Sequence, residues 1–208
     1  MAERYVKICG LRTPEMVAAA VEAGADAVGF IFAPGSARTV EASTVRGLVV
    51  AVPDTVETVA VFRNQPIAVV LETAREAGVS TVQLHGDEPL EDIRQLQDAG
   101  FRTLRAFSAQ AFTALDDAGR AAWSGERLLL DAVDPGAGRT FDPAVLADRA
   151  PQGFWLLAGG LDPANVAALL GASGASGADV SSGVESSRGV KDAGLIGSFI
   201  RAARGATD

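Results

Sequence analysis

The sequence predicts an α/β chain folded as a (β/α)₈ TIM barrel, a single domain over residues 1–208, and three observations carry that expectation. Short apolar, β-branched segments alternate with alanine-rich helical ones along all 208 residues, with no linker and no low-complexity tract. The alternation counts out to eight strand–helix units of 26 residues each, near the lower end for such a barrel. A faint repeat has the matching period: Glu22-Ala23-Gly24-Ala25-Asp26-Ala27-Val28 and Glu76-Ala77-Gly78-Val79-Ser80-Thr81-Val82 share a helix–stop–strand layout, and Gly24 and Gly78 lie 54 residues apart. A doubly wound open sheet alternates in the same way. No Gly-x-Gly-x-x-Gly fingerprint follows the first strand, however, and that favours the barrel.

Taken in order, Tyr5 to Ile8 is a buried first strand with Cys9 at its carboxyl end, broken by Gly10. Thr13-Pro14-Glu15 opens a helix over Pro14 to Ala23 that Gly24 stops. Ala27 to Phe32 is the second strand, and the loop Ala33 to Arg38 leads to a helix near Ala42 to Ala51. Thr58 to Phe62, a helix near Ile67 to Ala77, and Thr81 to Leu84 follow, the last ending at His85-Gly86. Pro89 to Ala99 is helical, Thr103 to Phe107 is the fifth strand, and a helix runs from about Ala109 to Ala118. Leu128 to Leu130 ends at Asp131, before a Gly-rich loop (Asp134 to Arg139) and a short helix from Pro143. The seventh strand, Trp155 to Ala158, turns at Gly159-Gly160 into a helix from Pro163 to Leu170. Ala178 to Val180 is the eighth strand, and a helix near Ala193 to Ala203 closes the chain.

Composition narrows the class of function. With 48% hydrophobic and 21% charged residues, the chain has the make-up of a folded globular protein. One cysteine allows no internal disulfide, so nothing calls for an oxidising compartment. The opening Met1-Ala2-Glu3-Arg4 lacks the layout of a signal peptide, and no apolar run approaches the roughly 20 residues of a membrane span. A cytoplasmic protein with no membrane partner is expected. A formal charge of −8 provides no basic footprint for nucleic acid.

In parallel barrels the chemistry comes from the carboxyl ends of the strands. Those ends supply Cys9, Arg38, His85, Asp131, Gly159-Gly160 and the segment Asp179 to Gly183. Side chains alternate along a strand, so Lys7 and Cys9 share one face, and an ammonium beside a thiol is unusual as plain packing. A single cysteine can equally be a small buried hydrophobe. Lys7 is expected to lower the Cys9 pKa through its charge. Asp131 closes a buried strand and is expected to be partly desolvated, able to carry a proton near neutrality; a cap or an ion pair with Arg139 is the competing reading. His85, the only histidine, reads as a site-lining residue, scaffold as readily as catalyst. Gly159-Gly160 and Ser181-Ser182-Gly183 follow the seventh and eighth strands, where barrels often cradle a phosphate with backbone N–H groups. Each alone is an ordinary turn. No metal-ligand spacing and no Gly-x-Ser-x-Gly nucleophile elbow occur, so no metal and no Ser–His–Asp triad are expected, and chemistry run by an acid, a base and positioning needs no cofactor.

These residues resemble a known family, the phosphoribosylanthranilate isomerases of tryptophan biosynthesis, over nearly the whole chain. Lys7-Ile8-Cys9-Gly10-Leu11 is similar to the family's opening motif, and Gly24 to Phe30 to the segment after it. Ser36-Ala37-Arg38, Val82-Gln83-Leu84-His85-Gly86, Leu129-Leu130-Asp131 and Gly138 to Asp142 resemble its loops and strands in order. Gly159 to Val166 and Asp179 to Glu185 resemble its phosphate loops. The resemblance implies an aldose–ketose isomerase performing an Amadori rearrangement on a small phosphorylated substrate, as a monomer or a homodimer. It implies Cys9 as general base, Asp131 as general acid and Arg38 on the anthranilate carboxylate; Lys7, His85 and Asp179, read from the strands and their ends, are expected to line the substrate. The phosphate would lie on Gly159, Gly160, Ser181, Ser182 and Gly183. Gly35, Arg139 and Pro143 depart from the usual pattern, where many relatives have lysine, lysine and tryptophan.

Three competing functions have distinguishing features. A related histidine-pathway sugar-phosphate isomerase, alone or as a second activity, resembles this layout but uses two aspartates where Cys9 and Asp131 stand. A non-catalytic barrel would bind a phosphorylated ligand without turnover. Indole-forming lyases of this fold carry longer loops than so short a chain holds.

Overall fold

Along each short strand, alternate residues divide between two apolar surroundings. Val6, Ile8, Val28, Phe30, Ala60, Phe62, Val82, Leu84, Leu128, Leu130, Trp155, Leu157, Ala178 and Val180 point outward and pack under the helices. The residues between them turn inward, so both faces of the sheet are covered, as a parallel sheet requires. The computed structural model describes residues 4–131, 146 and 149–205.

The strands β1 (Tyr5–Cys9), β2 (Ala27–Ile31), β3 (Glu57–Phe62), β4 (Thr81–Leu84), β5 (Arg102–Ser108), β6 (Leu128–Asp131), β7 (Trp155–Leu157) and β8 (Gly177–Val180) form one closed parallel barrel. Closure is made by β1 against β8, in a register that sets Lys7 beside Asp179. The expected TIM barrel is therefore the fold. Helices α1 (Pro14–Glu22), α2 (Ala42–Val49), α3 (Ile67–Ala77) and α4 (Leu90–Asp98) follow the first four strands. Thr13 caps α1 by accepting from the Met16 amide, and Gly78, at φ 72°, closes α3 in the left-handed conformation glycine favours.

Three expectations are corrected. The helix expected over Ala109 to Ala118 is two helices, α5 (Ala109–Ala114) and α6 (Asp117–Ala122). Leu115 between them is extended, and Ser108 and Asp116 each cap their own helix through a side-chain oxygen. The helix expected from Pro163 begins one turn later, as α7 (Val166–Ser173), because the Asp162 carboxylate accepts the amides of Ala164 and Asn165 and winds that stretch into a turn. It also runs past Gly171 and ends at Gly174, φ 71°. A hairpin that the sequence did not announce, β9 (Glu185–Ser187) with β10 (Val190–Lys191), follows a 3₁₀ turn over Ser182–Val184 and precedes α8 (Ala193–Arg204). The expected Gly-rich loop and the helix from Pro143 lie outside the described residues. Among the described residues, no helix is long and apolar enough to cross a membrane.

Candidate active site

The inward residues sort into a floor at the amino ends of the strands and a rim at their carboxyl ends. On β1 the inward series is Tyr5, Lys7, Cys9, so the lysine sits at mid-depth and the thiol at the rim. Lys7 is 1% exposed and Cys9 5%. The Lys7 Nζ donates to Asp179 Oδ1 at 2.8 Å, and its charge also acts on the neighbouring Cys9 thiol. Burial alone would lower the Lys7 pKa; the charge of Asp179, with smaller help from Cys9, overrides it and raises the ammonium above its usual range.

The Cys9 thiol is pushed up from its ordinary value. Burial is the largest cause, Lys7 opposes it, Asp179 adds to it, and Lys191 opposes it more weakly. The pull of Lys7 on the thiol has the expected sign, but desolvation outweighs it and the net shift is upward. Space for the pair comes from Gly29 on β2, the register partner of Cys9. A Cβ there would lie 3.1 Å from the Cys9 Sγ and 3.2 Å from the Lys7 Nζ.

Across the mouth, Asp131 ends β6 with its side chain 20% exposed, and His85 Nε2 lies 3.4 Å from its Oδ2. The histidine follows β4, its amide bonded to the Phe62 carbonyl at 2.9 Å, which continues the strand ladder by one residue. Its Nδ1 lies 3.0 Å from Nε2 of Gln83, fully buried on the same face two residues earlier. The turn after His85 is fixed from outside the barrel. Glu88 accepts the amides of Asn64 and Gly86 at 2.6 and 2.7 Å, and Arg105 donates to the carbonyls of Leu84 and Gly86.

The two expected phosphate turns lie on the same rim, after β7 and β8. Gly159 and Gly160 both take left-handed φ, 85° and 66°, and the Gly160 carbonyl is held by the Asn165 side chain at 2.9 Å. The amides of Gly159, Gly160, Ser182 and Gly183 donate to no other described residue. Gly183 is forced by close approach, since a Cβ there would fall 1.8 Å from the Leu161 carbonyl oxygen, and this contact brings the two turns together.

Arg38 reaches the rim from the loop after β2, with its fork on Glu185: Nε and Nη2 donate to the two carboxylate oxygens at 2.6 and 2.8 Å. Lys191 of β10 donates to the same carboxylate at 2.9 Å and to the Ser181 carbonyl at 2.7 Å. Burial alone would raise the Glu185 carboxyl; bonds from Arg38, Lys191 and the Gly189 amide outweigh it and hold the pKa at about 2. The hairpin thus ties the Arg38 loop to the turn after β8. Gly10, at φ 78°, leaves the room for this, because a Cβ would meet the Arg38 Cδ at 2.7 Å.

Every site residue read from the sequence stands at or just below this one rim. Lys7, Cys9 and Asp179 form one group, His85 and Asp131 a second, Arg38 and the two turns a third. Sequence reasoning missed Gly29, Gln83, Glu185 and Lys191. A glycine inside an apolar strand was the available signal for Gly29, and a glutamine among inward strand positions the signal for Gln83. Glu185 and Lys191 gave none without the hairpin that joins them. Of the three departures, Gly35 takes φ 79° with no atom within 4 Å of a would-be Cβ, while Arg139 and Pro143 lie outside the described residues. Among the described residues, no group of three or more His, Cys, Asp or Glu side chains could hold a metal ion.

Comparison with known proteins places this arrangement among relatives. The profile of the family N-(5′-phosphoribosyl)anthranilate (PRA) isomerase matches residues 6–202. The N-(5′-phosphoribosyl)anthranilate isomerase of Geobacter metallireducens is 41% identical over 203 residues, covering 96% of this chain and 98% of the relative. The crystal structure of TrpF from Jonesia denitrificans superposes with a TM-score of 0.85 at 44% identity, covering 98% of both chains. A phosphoribosyl anthranilate isomerase solved in complex with reduced 1-(o-carboxyphenylamino)-1-deoxyribulose 5-phosphate superposes with a TM-score of 0.83 at 35% identity, covering 97% of this chain and 99% of that one.

Proposed function

Because the chain belongs to the N-(5′-phosphoribosyl)anthranilate isomerase family, the isomerases of tryptophan biosynthesis, we propose that it performs an Amadori rearrangement with Asp131 as general acid and Cys9 as general base. The substrate is N-(5′-phosphoribosyl)anthranilate and the product 1-(o-carboxyphenylamino)-1-deoxyribulose 5-phosphate. The observation that carries the reading is the buried ammonium of Lys7, 2.8 Å from Asp179 and beside the Cys9 thiol, under the mouth that also holds Asp131.

The reaction moves hydrogen from C2 of the sugar to C1. Asp131 protonates the ring oxygen, the C1–O bond breaks, and the nitrogen lone pair forms a C1=N iminium. Cys9, as thiolate, removes the C2 proton, and the C–H electrons form the C1=C2 bond of an enolamine while nitrogen regains its lone pair. Loss of the O2 proton and protonation of C1 give the ketone. The raised pKa of Cys9 means the resting group is the thiol. Lys7 is the counter-ion against which the thiolate forms, and the iminium of the opened substrate supplies a second positive charge at that moment. Acid, base and positioning account for every step.

Binding follows the same logic. The guanidinium of Arg38 has two edges, and Glu185 takes the one made by Nε and Nη2. The Nη1 edge remains to hold the anthranilate carboxylate in a planar pair. The unpaired amides after β7 and β8 hold the phosphate. The test is a fluorescence assay following loss of the aminobenzoate conjugate. Cys9→Ser and Asp131→Asn should each lose about a thousandfold in kcat, the scale of a general acid or base. Near-wild-type turnover in either, with the barrel intact by circular dichroism, removes that residue from its role.

A further inference from the structure

We infer that Gln83 is a positioning residue: it holds His85 as the tautomer with the proton on Nε2, so that the imidazole donates to the Asp131 carboxylate. The inference rests on the reading of Asp131 as the acid only for its catalytic consequence; the proton position on His85 stands on geometry alone. Gln83 is 0% exposed, inside the barrel on β4, and its Nε2 lies 3.0 Å from His85 Nδ1. An amide nitrogen is a donor only, so the Nδ1 facing it has to be the unprotonated, accepting nitrogen. A neutral imidazole then carries its proton on Nε2, the nitrogen 3.4 Å from Asp131 Oδ2.

The reverse amide orientation is the worse arrangement. It would bury an amide NH₂ without an acceptor, where the present one leaves only Gln83 Oε1 unpartnered, and orphaned buried N–H groups are the rarer and costlier kind. Among the described residues, Glu88, Asp87 and Arg105 on the neighbouring elements are engaged elsewhere. Glu88 is bonded to the amides of Asn64 and Gly86, the Asp87 carboxylate accepts from the Asn64 side chain at 3.2 Å, and Arg105 is on the carbonyls of Leu84 and Gly86.

The consequence for catalysis concerns the moment after proton transfer. Asp131 becomes a carboxylate as it gives its proton to the ring oxygen, and a donor 3.4 Å from Oδ2 is near enough to stabilise that charge once the contact shortens. The 3.4 Å approach is long, and catalytic contacts of this kind commonly shorten only in the Michaelis complex. Gln83 therefore acts through His85 and never touches the sugar.

Because His85 is the only histidine, ¹⁵N–¹H correlation spectra of the uniformly labelled full-length protein show a single imidazole. The expected wild-type spectrum shows the uncharged ring with Nε2 protonated and Nδ1 bare. Gln83→Met, which keeps the volume and removes the donor, should give mixed tautomers and about a tenfold lower kcat with KM within twofold. Gln83→Glu, isosteric but an acceptor, should draw a proton onto Nδ1 and lower kcat further. A wild-type ring protonated on Nδ1 overturns the inference without any variant, and so does an unchanged tautomer with unchanged kcat in Gln83→Met. The wild-type spectrum decides even where a variant fails to fold. Full activity in Asp131→Asn would sink the acid assignment and leave the tautomer result standing, so the two failures are told apart.

Discussion

The floor and the rim of this barrel both bury charge, and they handle it in opposite ways. At the floor, Glu57 accepts from Arg102 and Arg127 at 3.0 Å each and from the Thr81 hydroxyl at 3.0 Å. Arg127 lies over the Phe154 ring at 4.7 Å, and Tyr5 meets Phe154 edge to face at 5.3 Å. Burial, with the charge of Glu57, raises the Tyr5 phenol to about 12, so nothing there titrates near neutrality. At the rim, by contrast, one ammonium is bonded to a carboxylate beside a thiol, and among the described residues Asp131 has an imidazole at arm's length. The floor is a closed account of donors and acceptors that seals the barrel. The rim leaves reactive atoms incompletely matched, which makes them able to exchange protons with a ligand.

The largest test of that contrast after removal of Cys9 or Asp131 themselves is Gly29→Ala. The added methyl at 3.1 Å from Sγ and 3.2 Å from Nζ has to displace one of them, since neither Cys9 nor Lys7 has room to retreat. The neighbour has to give by a few tenths of an ångström, and since a full ångström at a reacting atom costs about a hundredfold in rate, kcat should fall by up to about tenfold with little change in KM. Unchanged steady-state kinetics would mean the thiol is not the moving part.

A smaller and more diagnostic effect comes from the pair that flanks Cys9. Lys7 pulls the thiol pKa down and Asp179 pushes it up. In Lys7→Met the thiol should therefore rise further, and the limb of kcat/KM that climbs with pH should move to higher pH, costing about tenfold at neutrality for each unit of displacement. Asp179→Asn should move the same limb the other way. Shifts in one direction for both variants, read from pH–rate profiles, would break the assignment of that limb to Cys9.

Much of this was legible beforehand. Strand ends name the rim in any parallel barrel, so Cys9, His85, Asp131 and the glycine turns could be placed on it from the alternation alone. What the sequence could not reveal is balance. Lys7 was visible beside Cys9, but its counter-ion is 172 residues away on the strand that closes the barrel, and burial there exceeds its pull. Arg38 was visible, but Glu185 and Lys191 meet it only because a hairpin of no sequence signature folds back over the turn after β8. The helix boundaries that slipped, at Leu115 and at Pro163, did so where a local side-chain bond from Asp116 or Asp162 outcompeted helical continuation.

The smallest expected effect on turnover is at the floor, and it is the control that gives the others meaning. Glu57→Gln keeps the shape but removes the charge between two arginines, leaving Arg127 half-matched beneath the barrel. Removing the charge from this half-buried cluster costs about 1.5 kcal/mol, so the urea midpoint should fall while kcat of the folded fraction stays within twofold. The pH dependence has a defined sign. Burial alone would raise the Glu57 carboxyl, but bonds from Arg127 and Thr81 and the charge of Arg102 bring it below its ordinary 4.5. The unfolded chain therefore binds this proton first as pH falls, and the stabilisation is present above pH 4.5 and drains away below it. Wild type should lose stability through that window more steeply than Glu57→Gln. A floor variant that instead lowered kcat tenfold at full stability would show that the two ends of the barrel are coupled, and the division between sealing and reacting charge would fail.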